Sequence, residues 1–327
     1  MTEPSVTICM ATYNGERFVA EQIRSIVAQD YPHWRLLVHD DGSTDKTVAI
    51  LEAFAASDSR IQVVSGLGHL GIKKGFMTLL GIEQSDFYAF CDQDDVWQPN
   101  KLTKMIGLLT AVDSSQPALG YSDFTEIDAT GRDITDYERV TPFETKFEDL
   151  LIANTATGCT CVMNRALRDS IVATLATIDY SAMHMHDWWA VLVAAGTGRV
   201  VYTRERLVAY RQHHNNVLGA AGKGGLQAQL RRVCQFGERE QLAHIATQAK
   251  MLQTLYASKL GGERNAFLDR VATLWQGYQP IAQLSFLSKQ HLFAATHSKT
   301  SVIQMVLLLF TPTKKRSQIL ALSELGQ

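Results

Sequence analysis

The sequence Tyr88-Ala89-Phe90-Cys91-Asp92-Gln93-Asp94-Asp95-Val96-Trp97 decides the fold of this chain. An apolar run from Phe87 to Cys91 predicts a buried strand, and three carboxylates follow it within four residues. Carboxylates crowded at the end of a strand repel one another, so a cation is expected beside them. Their oxygens suit Mg²⁺ or Mn²⁺, which substrate phosphates often help to bind. The alternative is a polar turn whose Asp side chains cap the next helix.

Shorter strands are predicted on the amino-terminal side of this stretch, and each leads through a turn into a helical pattern. This alternation predicts a mainly parallel sheet with helices on both faces, in which ligands bind at the carboxyl ends of the strands. Three polar turns are therefore expected to open into one crevice, as in a nucleotide-binding α/β unit. The turns are residues 12–15, 40–45 and 92–95, which follow strands predicted at 6–11, 36–39 and 87–91; a further strand is predicted at 61–64.

The composition is that of a globular protein without a nucleic-acid partner. The chain has 327 residues, of which 46% are hydrophobic and 20% charged. Its formal net charge of −2 gives no reason to expect binding to nucleic acid. From Gly222 onward, 13 Lys and Arg stand against 5 Asp and Glu, so a basic tail follows an acidic front. Such a tail fits either an anionic membrane surface or a solvated helical face.

Cysteine usage and the absence of long apolar runs predict a cytoplasmic protein. Five cysteines without a C-x-x-C pair indicate a reducing compartment. Residues 1–5 show neither the basic start nor the apolar core of a signal peptide. No stretch approaches the roughly 20 apolar residues that span a bilayer. Segment 302–310 is strongly apolar, however, and basic residues follow at 314–316. It fits a helix at the membrane interface, a helix on its own domain, or a contact between the subunits of a homodimer.

A second cluster of chemically reactive side chains is His184-Met185-His186-Asp187-Trp188-Trp189, at the start of an apolar helical pattern. A carboxylate in such surroundings is costly to desolvate unless it caps the helix or takes part in chemistry. A zinc site built on His184 and His186 is disfavoured, because no further ligand has suitable spacing. Asp187 is therefore interpreted either as a helix cap or as a general base.

Three motifs occur in order along the chain: Ala11-Thr12-Tyr13-Asn14-Gly15, Asp40-Asp41-Gly42-Ser43-Thr44-Asp45 and Asp92-Gln93-Asp94-Asp95-Val96-Trp97. Together they resemble the ordered signature of inverting nucleotide-sugar glycosyltransferases of family 2, GT-A type. The form Cys-Asp-Gln-Asp-Asp-Val-Trp is most similar to the rhamnosyltransferase-like branch, which builds bacterial surface polysaccharides. The resemblance covers residues 5–220.

The resemblance implies an α/β fold of the GT-A (nucleotide-diphospho-sugar transferase) type, a mainly parallel sheet flanked by helices with a helical C-terminal extension. The catalytic domain would be residues 1–221, with a donor half at 1–112 and an acceptor half at 113–221, and the helical region 222–327. The implied donor is dTDP-L-rhamnose, with UDP-hexoses as the alternative. The implied acceptor is a saccharide hydroxyl of a lipid-linked cell-surface precursor, at the inner face of the bacterial cell membrane.

The resemblance also implies roles for individual residues. Asp187 would be the base that removes the proton of the acceptor hydroxyl, with a tryptophan face as an apolar platform for the sugar. The implied cofactor is Mn²⁺ or Mg²⁺, held by Asp92, Asp94 and His213. The implied donor-binding residues are Thr12, Tyr13, Asn14, Gly15, Asp40, Asp41, Lys74, Asp92 and Arg211, and the implied acceptor-binding residues are Thr157, Gly158, His186 and Trp188. Among the donor-binding residues, Arg211 is expected to contact the departing diphosphate.

The chain departs from the branch pattern after the third strand, where Lys73-Lys74 stands before Gly75-Phe76. A lysine at this place is expected to meet the diphosphate of the donor. Two other functions remain as alternatives. A sugar nucleotidyltransferase shares the crevice, but residues 13–16 are a poor substitute for its Gly-rich, basic loop. The second alternative, a catalytically silent sugar-binding protein, is disfavoured because the chain retains the implied catalytic and metal-binding residues.

Overall fold

The structure, a computed structural model, describes residues 3–135, 145–213, 237–273 and 280–289. These residues group into two units. The larger unit comprises Met1–Thr145, Ala156–Thr177 and Met185–Ala220, and the smaller comprises Lys146–Thr155, Ile178–His184 and Ala221–Gln327. Two short segments that the prediction placed in the catalytic domain therefore group with the C-terminal residues. The glycine-rich hinge expected at 222–225 lies outside the described residues.

A single mixed sheet forms the centre of the larger unit. Its strands are β1 (Val6–Thr12), β2 (Trp34–Asp40), β3 (Ile61–Val63), β4 (Phe87–Cys91), β5 (Val96–Trp97), β6 (Ala118–Ile127), β7 (Cys161–Asn164) and β8 (Arg199–Arg211). Their order is β3-β2-β1-β4-β7-β6-β8-β5. Parallel pairing joins β3, β2, β1 and β4, and also β6 and β8. Antiparallel pairing joins β7 to β4 and β6, and β5 to β8. The predicted α/β class is thus confirmed.

Helices alternate with the strands, as the sequence pattern predicts. They are α1 (Val19–Val27), α2 (Thr47–Ser57), α3 (Gly71–Ile82), α4 (Lys101–Thr110), α5 (Phe147–Ile152), α6 (Arg165–Val172), α7 (His186–Thr197), α8 (Gly237–Ala272) and α9 (Pro280–Lys289). A 3₁₀ turn, Gly158–Thr160, precedes β7. Ile23 and Ile26 of α1 are fully buried, whereas Val27, the last residue of this helix, is 39% exposed.

Strands β1 and β4 are buried on both faces, which explains their largely apolar sequence. Every residue of β4 is buried, and β1 is buried from Val6 to Met10. One face of β4 carries Ala89 in the main hydrophobic cluster. On the other face Phe90 packs edge-on against Phe76 of α3, with ring centroids 5.5 Å apart. The sheet therefore has helices on both faces, and the polar turns lie at the ends of its strands.

The three polar turns meet at one edge of this sheet, as predicted. In the parallel register Thr12 lies beside Asp40, and Met10 lies beside Cys91. The turns that follow β1, β2 and β4 therefore start at nearly the same height. This edge is where ligands bind in open α/β sheets.

The smaller unit is helical, so the predicted helical C-terminal extension is present. Within it, Phe147 of α5 contacts Phe267 of α8, and Phe267 contacts Phe286 of α9, with ring centroids 6.3 and 5.9 Å apart. Helix α8 breaks at Gly261, whose φ of 73° is a left-handed conformation that glycine adopts without strain.

No helix in the described part of the chain combines the length and the apolar character needed to cross a bilayer. The apolar segment 302–310 and the basic residues 314–316 lie outside the described residues. Contact of this tail with a membrane or with a second subunit therefore stays a prediction.

Candidate functional site

Hydrogen bonds join the three turns at the carboxyl edge of the sheet. Gln93, in the acidic turn after β4, binds the backbone of Tyr13 twice. Its Oε1 accepts from the Tyr13 amide at 3.0 Å, and its Nε2 donates to the Tyr13 carbonyl at 3.1 Å. Asn14 joins the same turn to the one after β2, because its amide donates to Ser43 Oγ at 2.8 Å and its Oδ1 accepts from the Thr44 amide at 2.9 Å.

The close approach of these turns explains the glycine at position 15. A Cβ atom there would lie 2.3 Å from Gln93 Oε1 and 2.7 Å from Gln93 Cδ. The amide of Gly15 donates to Thr47 Oγ1 at 2.8 Å, at the start of α2. A side chain at position 15 would therefore displace the Gln93 amide group that bonds to the Tyr13 backbone. Tyr13, by contrast, is 54% exposed and available to a ligand.

The two aspartates after β2 are bonded mainly within the turns themselves. Asp40 accepts from Thr12 Oγ1 at 2.8 Å and from Ser43 Oγ at 2.6 Å. Asp41 is buried, and its Oδ1 accepts from the amide of Gly71 at 3.0 Å, at the start of α3. Lys74 is exposed in the first turn of α3, on the same edge as these aspartates. Both carboxylates shape the crevice, and their contact with a nucleoside stays a prediction.

Asp94 and His213, which are 119 residues apart in sequence, lie together. The distance from His213 Nε2 to Asp94 Oδ2 is 2.7 Å. The imidazole also stacks on Phe18, with ring centroids 5.1 Å apart, which fixes its orientation. Strand β8 ends at Arg211 beside the acidic turn, so the end of the sheet brings the histidine to the carboxylate. The structure thus assembles the pair that the sequence resemblance proposed as metal ligands.

Burial and mutual repulsion disfavour the charged forms of the carboxylates in the acidic turn. Burial, and then the neighbouring carboxylates, raise the pKa of Asp92 well above its usual value. Burial and Asp94 raise the pKa of Asp95 to about 7. Oxygen atoms of Asp92 and Asp95 and the sulfur of Cys159 lie within 4.8 Å of one another. The buried Asp95 Oδ2 has no hydrogen-bond partner among the described residues. Carboxylate oxygens with one imidazole are a donor set that suits Mn²⁺ or Mg²⁺, so the residues fit a divalent ion.

Arg211 holds the acidic turn through hydrogen bonds. The side chain is buried, and its guanidinium donates to the Asp94 carbonyl at 2.7 Å and to Glu21 Oε2 at 2.7 Å. Its backbone amide donates to Asp95 Oδ1 at 3.0 Å. This placement differs from the contact with the donor diphosphate that the sequence suggested, because the guanidinium is already bonded to protein oxygens. We interpret Arg211 as a residue that holds the acidic turn in place.

Asp187 lies at the start of α7, next to the 3₁₀ turn. Its Oδ1 accepts from the amide of Trp188 at 2.6 Å. A Cβ on Gly158 would lie 3.2 Å from Asp187 Cβ and 3.3 Å from Oδ2, a tight contact in which Asp187 would have to shift by a few tenths of an ångström. Burial raises the pKa of Asp187 to about 6, while hydrogen bonds from the amides of Trp188 and Gly158 oppose the rise. Gly158 lies against Asp187, and the sulfur of the next residue, Cys159, lies within 4.8 Å of carboxylate oxygens of Asp92 and Asp95, so Asp187 is near the acidic turn. Thr157 precedes this turn.

The aromatic neighbours of Asp187 are core residues. Trp188 is 2% exposed and Trp189 is fully buried, which does not fit the expected platform for an acceptor sugar. His186 is also buried and stacks on Phe76 with ring centroids 3.9 Å apart. Burial lowers the pKa of His186 to about 3, so its ring is neutral. Helix α7 is buried over most of its length, and this leaves Asp187 as the chemically useful group of the segment.

Sequence reasoning missed Lys101 and Glu21. Lys101 is fully buried at the start of α4, where its Nζ donates to the carbonyl of Cys159 at 2.5 Å. Glu21 supplies a carboxylate to Arg211 from α1. Lysine and glutamate are usually exposed, so composition and periodicity give no signal for either contact. The sequence did predict a cation beside the acidic turn, but it did not identify Lys101 as that cation.

The model of the family described as "Glycosyl transferase family 2" matches residues 7–172, just over half of the chain. The chain is 30% identical over 161 residues to a putative teichuronic acid biosynthesis glycosyltransferase, TuaG of Bacillus subtilis, covering 49% of this chain and 62% of TuaG. It is 29% identical over 219 residues to the dTDP-rhamnosyl transferase RfbG of Shigella flexneri, covering 64% of this chain and 74% of RfbG.

The fold is also found in a solved structure. The chain superposes on S. aureus TarS 1-349 in complex with UDP-GlcNAc with a TM-score of 0.57 and 15% identity, covering 93% of this chain and 79% of the TarS 1-349 chain. At this identity the likeness shows the fold alone. The family match, together with the three motifs at one sheet edge, gives the assignment. The chain belongs to glycosyl transferase family 2.

Proposed function

We propose that the protein is an inverting, metal-dependent glycosyltransferase that moves a sugar from a nucleoside diphosphate donor to a saccharide hydroxyl. One observation carries the proposal: Asp94 pairs with His213 in the acidic turn, and Asp187 lies against Gly158, whose neighbour Cys159 is beside the Asp92 and Asp95 carboxylates. A cation-binding pair and a candidate base are the two elements that an inverting transfer needs. Membership of glycosyl transferase family 2 supports the same reaction class.

The donor side of the reaction uses the joined turns. The exposed Tyr13, with Thr12, Asn14 and Asp40, is proposed to contact the nucleoside. Asp94 and His213, with Asp92 beside them, would hold Mn²⁺ or Mg²⁺. When bound, such an ion neutralises charge that develops on the departing diphosphate. Arg211 acts indirectly, since it fixes the Asp94 backbone and the Asp95 carboxylate.

Two further groups are proposed to act on the donor diphosphate and on the acceptor. Lys74 is exposed in the first turn of α3 and is the proposed direct contact of this chain with the diphosphate. Asp187 is the proposed general base: it accepts the proton of the acceptor hydroxyl while that oxygen attacks the anomeric carbon opposite the leaving diphosphate. Attack from that side inverts the configuration at this carbon. Thr157 and Gly158, at the turn beside Asp187, are proposed to border the acceptor.

The proposed donor sugar is L-rhamnose, carried by dTDP, and the proposed acceptor is a lipid-linked precursor of a cell-surface polysaccharide. Two features support rhamnose: the Cys91–Trp97 motif and the similarity to RfbG, which is named a dTDP-rhamnosyl transferase. TuaG, named for teichuronic acid biosynthesis, supports a surface polymer as acceptor. UDP-hexoses are the alternative donors, because the structural neighbour TarS was solved with UDP-GlcNAc. A lipid-linked acceptor would place the enzyme at the inner face of the cell membrane.

A donor panel tests the proposal. The purified protein is incubated with dTDP-L-rhamnose or a UDP-hexose, with free or polyprenyl-diphosphate-linked saccharides, and with or without Mn²⁺. We expect release of dTDP with a saccharide product that depends on the metal ion. Release of UDP instead would change the donor but keep the reaction class. No nucleotide release from any donor, in the presence of tight nucleotide binding, would contradict an enzymatic function.

The pH dependence of the reaction should report the base. Asp187 accepts a proton only as a carboxylate, and its pKa is raised to about 6. Activity should therefore fall as the pH decreases through about 6, which is higher than for an exposed aspartate. The measurement is kcat/KM for the donor from about pH 5 to about pH 8 at saturating Mn²⁺. A profile that stays flat to the acid end would show that Asp187 does not limit the rate as a base.

A further inference from the structure

One buried cation beside the acidic turn has no part in the roles described so far. Lys101 is the first residue of α4 and is fully buried. Its Nζ lies 3.2 Å from the ring centroid of Trp97 and donates to the carbonyl of Cys159 at 2.5 Å. Trp97 follows the acidic turn directly, and Cys159 is the central residue of the 3₁₀ turn. One ammonium group therefore contacts two segments that are far apart in sequence.

Burying this ammonium opposes folding, because its hydration is lost. Burial lowers the pKa of Lys101 to about 8, while the negative charge of Asp95 opposes that effect. The face of Trp97 and the Cys159 carbonyl supply further compensation. A methionine of similar volume would avoid the loss of hydration. The charge therefore suggests a use beyond packing.

The segment that Lys101 holds also sets the position of the proposed base. Gly158, next to Cys159, packs closely against Asp187: an added Cβ would lie 3.2 Å from Asp187 Cβ and would push on it. The Gly158 amide also donates a hydrogen bond to Asp187, and this bond lowers the pKa of that carboxylate. A shift of the 3₁₀ turn would therefore move Gly158, which both donates a hydrogen bond to Asp187 and packs against its side chain.

We infer that Lys101 is a positioning residue of the transfer reaction: its buried ammonium ties the end of the acidic turn, at Trp97, to the turn Gly158–Thr160, and so holds Asp187 at a fixed place relative to the metal-binding side. This inference rests on the proposed function, because it requires Asp187 to act as the base. The Lys101 ammonium contacts Trp97 and the Cys159 carbonyl, and neither residue is among the proposed donor or acceptor contacts. Its effect reaches the reaction through the Gly158 turn.

The test compares Lys101→Met with Lys104→Met in the full-length protein. Lys104 lies on the same helix but is exposed, in a surface pair with Glu205 at 3.0 Å. Steady-state rates are measured with a donor and acceptor that the wild type turns over, and binding of the corresponding nucleotide (UDP or dTDP) with Mn²⁺ is measured by calorimetry. Lys101→Met should lower kcat by about 30-fold, the scale of a small misplacement of a catalytic group, with donor KM and nucleotide affinity little changed. Lys104→Met should match the wild type.

A double-mutant cycle identifies the route of the effect. Gly158→Ala places a methyl group against Asp187 and should itself lower kcat. If Lys101 acts through this turn, the double variant should lose much less activity than the product of the two single losses. Equal losses of kcat and nucleotide affinity in Lys101→Met, or fully multiplicative effects with Gly158→Ala, would overturn the inference.

Lys101→Arg covers the case in which Lys101→Met does not fold. Arginine keeps the charge, but its longer planar group cannot place a nitrogen at the ammonium position. A folded Lys101→Arg variant with lowered kcat and retained nucleotide binding supports the inference. Wild-type kcat in this variant, or loss of the folded state in both variants by circular dichroism, would make Lys101 a folding residue and overturn it. Turnover by the wild type separately decides the proposed function.

Discussion

Asp187→Asn is expected to lower kcat by about 10³-fold while leaving nucleotide binding unchanged. Asparagine has nearly the same shape and can keep the hydrogen bond from the Trp188 amide to the side-chain oxygen, which is 2.6 Å long in the native protein. It cannot accept a proton from an acceptor hydroxyl at neutral pH. The measurements are the transfer rate with the wild-type donor and acceptor, and calorimetric titration of UDP or dTDP in the presence of Mn²⁺.

A matched control keeps this prediction specific. Asp113→Asn removes one negative charge from an exposed loop, where the carboxylate accepts hydrogen bonds from Ser115, and should leave kcat unchanged. If Asp187→Asn loses nucleotide binding in parallel with activity, Asp187 belongs to the donor side of the site. If it keeps more than about a tenth of the wild-type kcat, a general-base role is excluded.

Asp94→Asn is expected to abolish the Mn²⁺ dependence of nucleotide binding and to lower activity by about 10²-fold or more. Asp94 Oδ2 is the carboxylate oxygen that lies 2.7 Å from His213 Nε2. Amide substitution removes the negative charge of this proposed ligand while keeping the shape of the turn. Nucleotide affinity should therefore become weak and equal with and without the ion. Calorimetry in Mn²⁺ and in EDTA measures this directly, without an acceptor.

His213→Ala provides the comparison for Asp94→Asn. If both residues hold one ion, the two substitutions should each remove the Mn²⁺ effect, and the double variant should be no worse than either single variant. Glu205→Gln, in a surface ion pair, should keep the full metal dependence. A normal Mn²⁺ effect in His213→Ala would remove the histidine from the site and favour a centre built from Asp92, Asp95 and Cys159.

The strands and the polar turns could be predicted because their signals are local. The apolar run Phe87–Cys91 coincides with β4, and the alternation of strands and helices led to the correct fold class. The shared edge followed from the rule that parallel strands end on the same side of a sheet. The proximity of Asp94 and His213 was not a local signal. It came from resemblance of the motifs to a known family, and the structure places the two side chains together.

The burial of individual side chains and their hydrogen-bond partners could not be predicted, because both depend on residues far away in sequence. Trp188 was expected to face a sugar but packs in the core, since helix α7 is covered on nearly every side. Arg211 was expected to meet a diphosphate but bonds to Asp94 and Glu21. Nothing in the sequence distinguishes the buried Lys101 from a lysine on the surface, where lysines usually lie.

The sequence by itself determined which chemical groups this protein has and the order in which the sheet would present them. The tertiary structure alone decided which of those groups remain available and in what protonation state. The physical reason is that a local pattern of apolar and polar residues fixes strands, turns and helices. Desolvation and electrostatic pairing, in contrast, are set by neighbours that only the folded chain brings within contact.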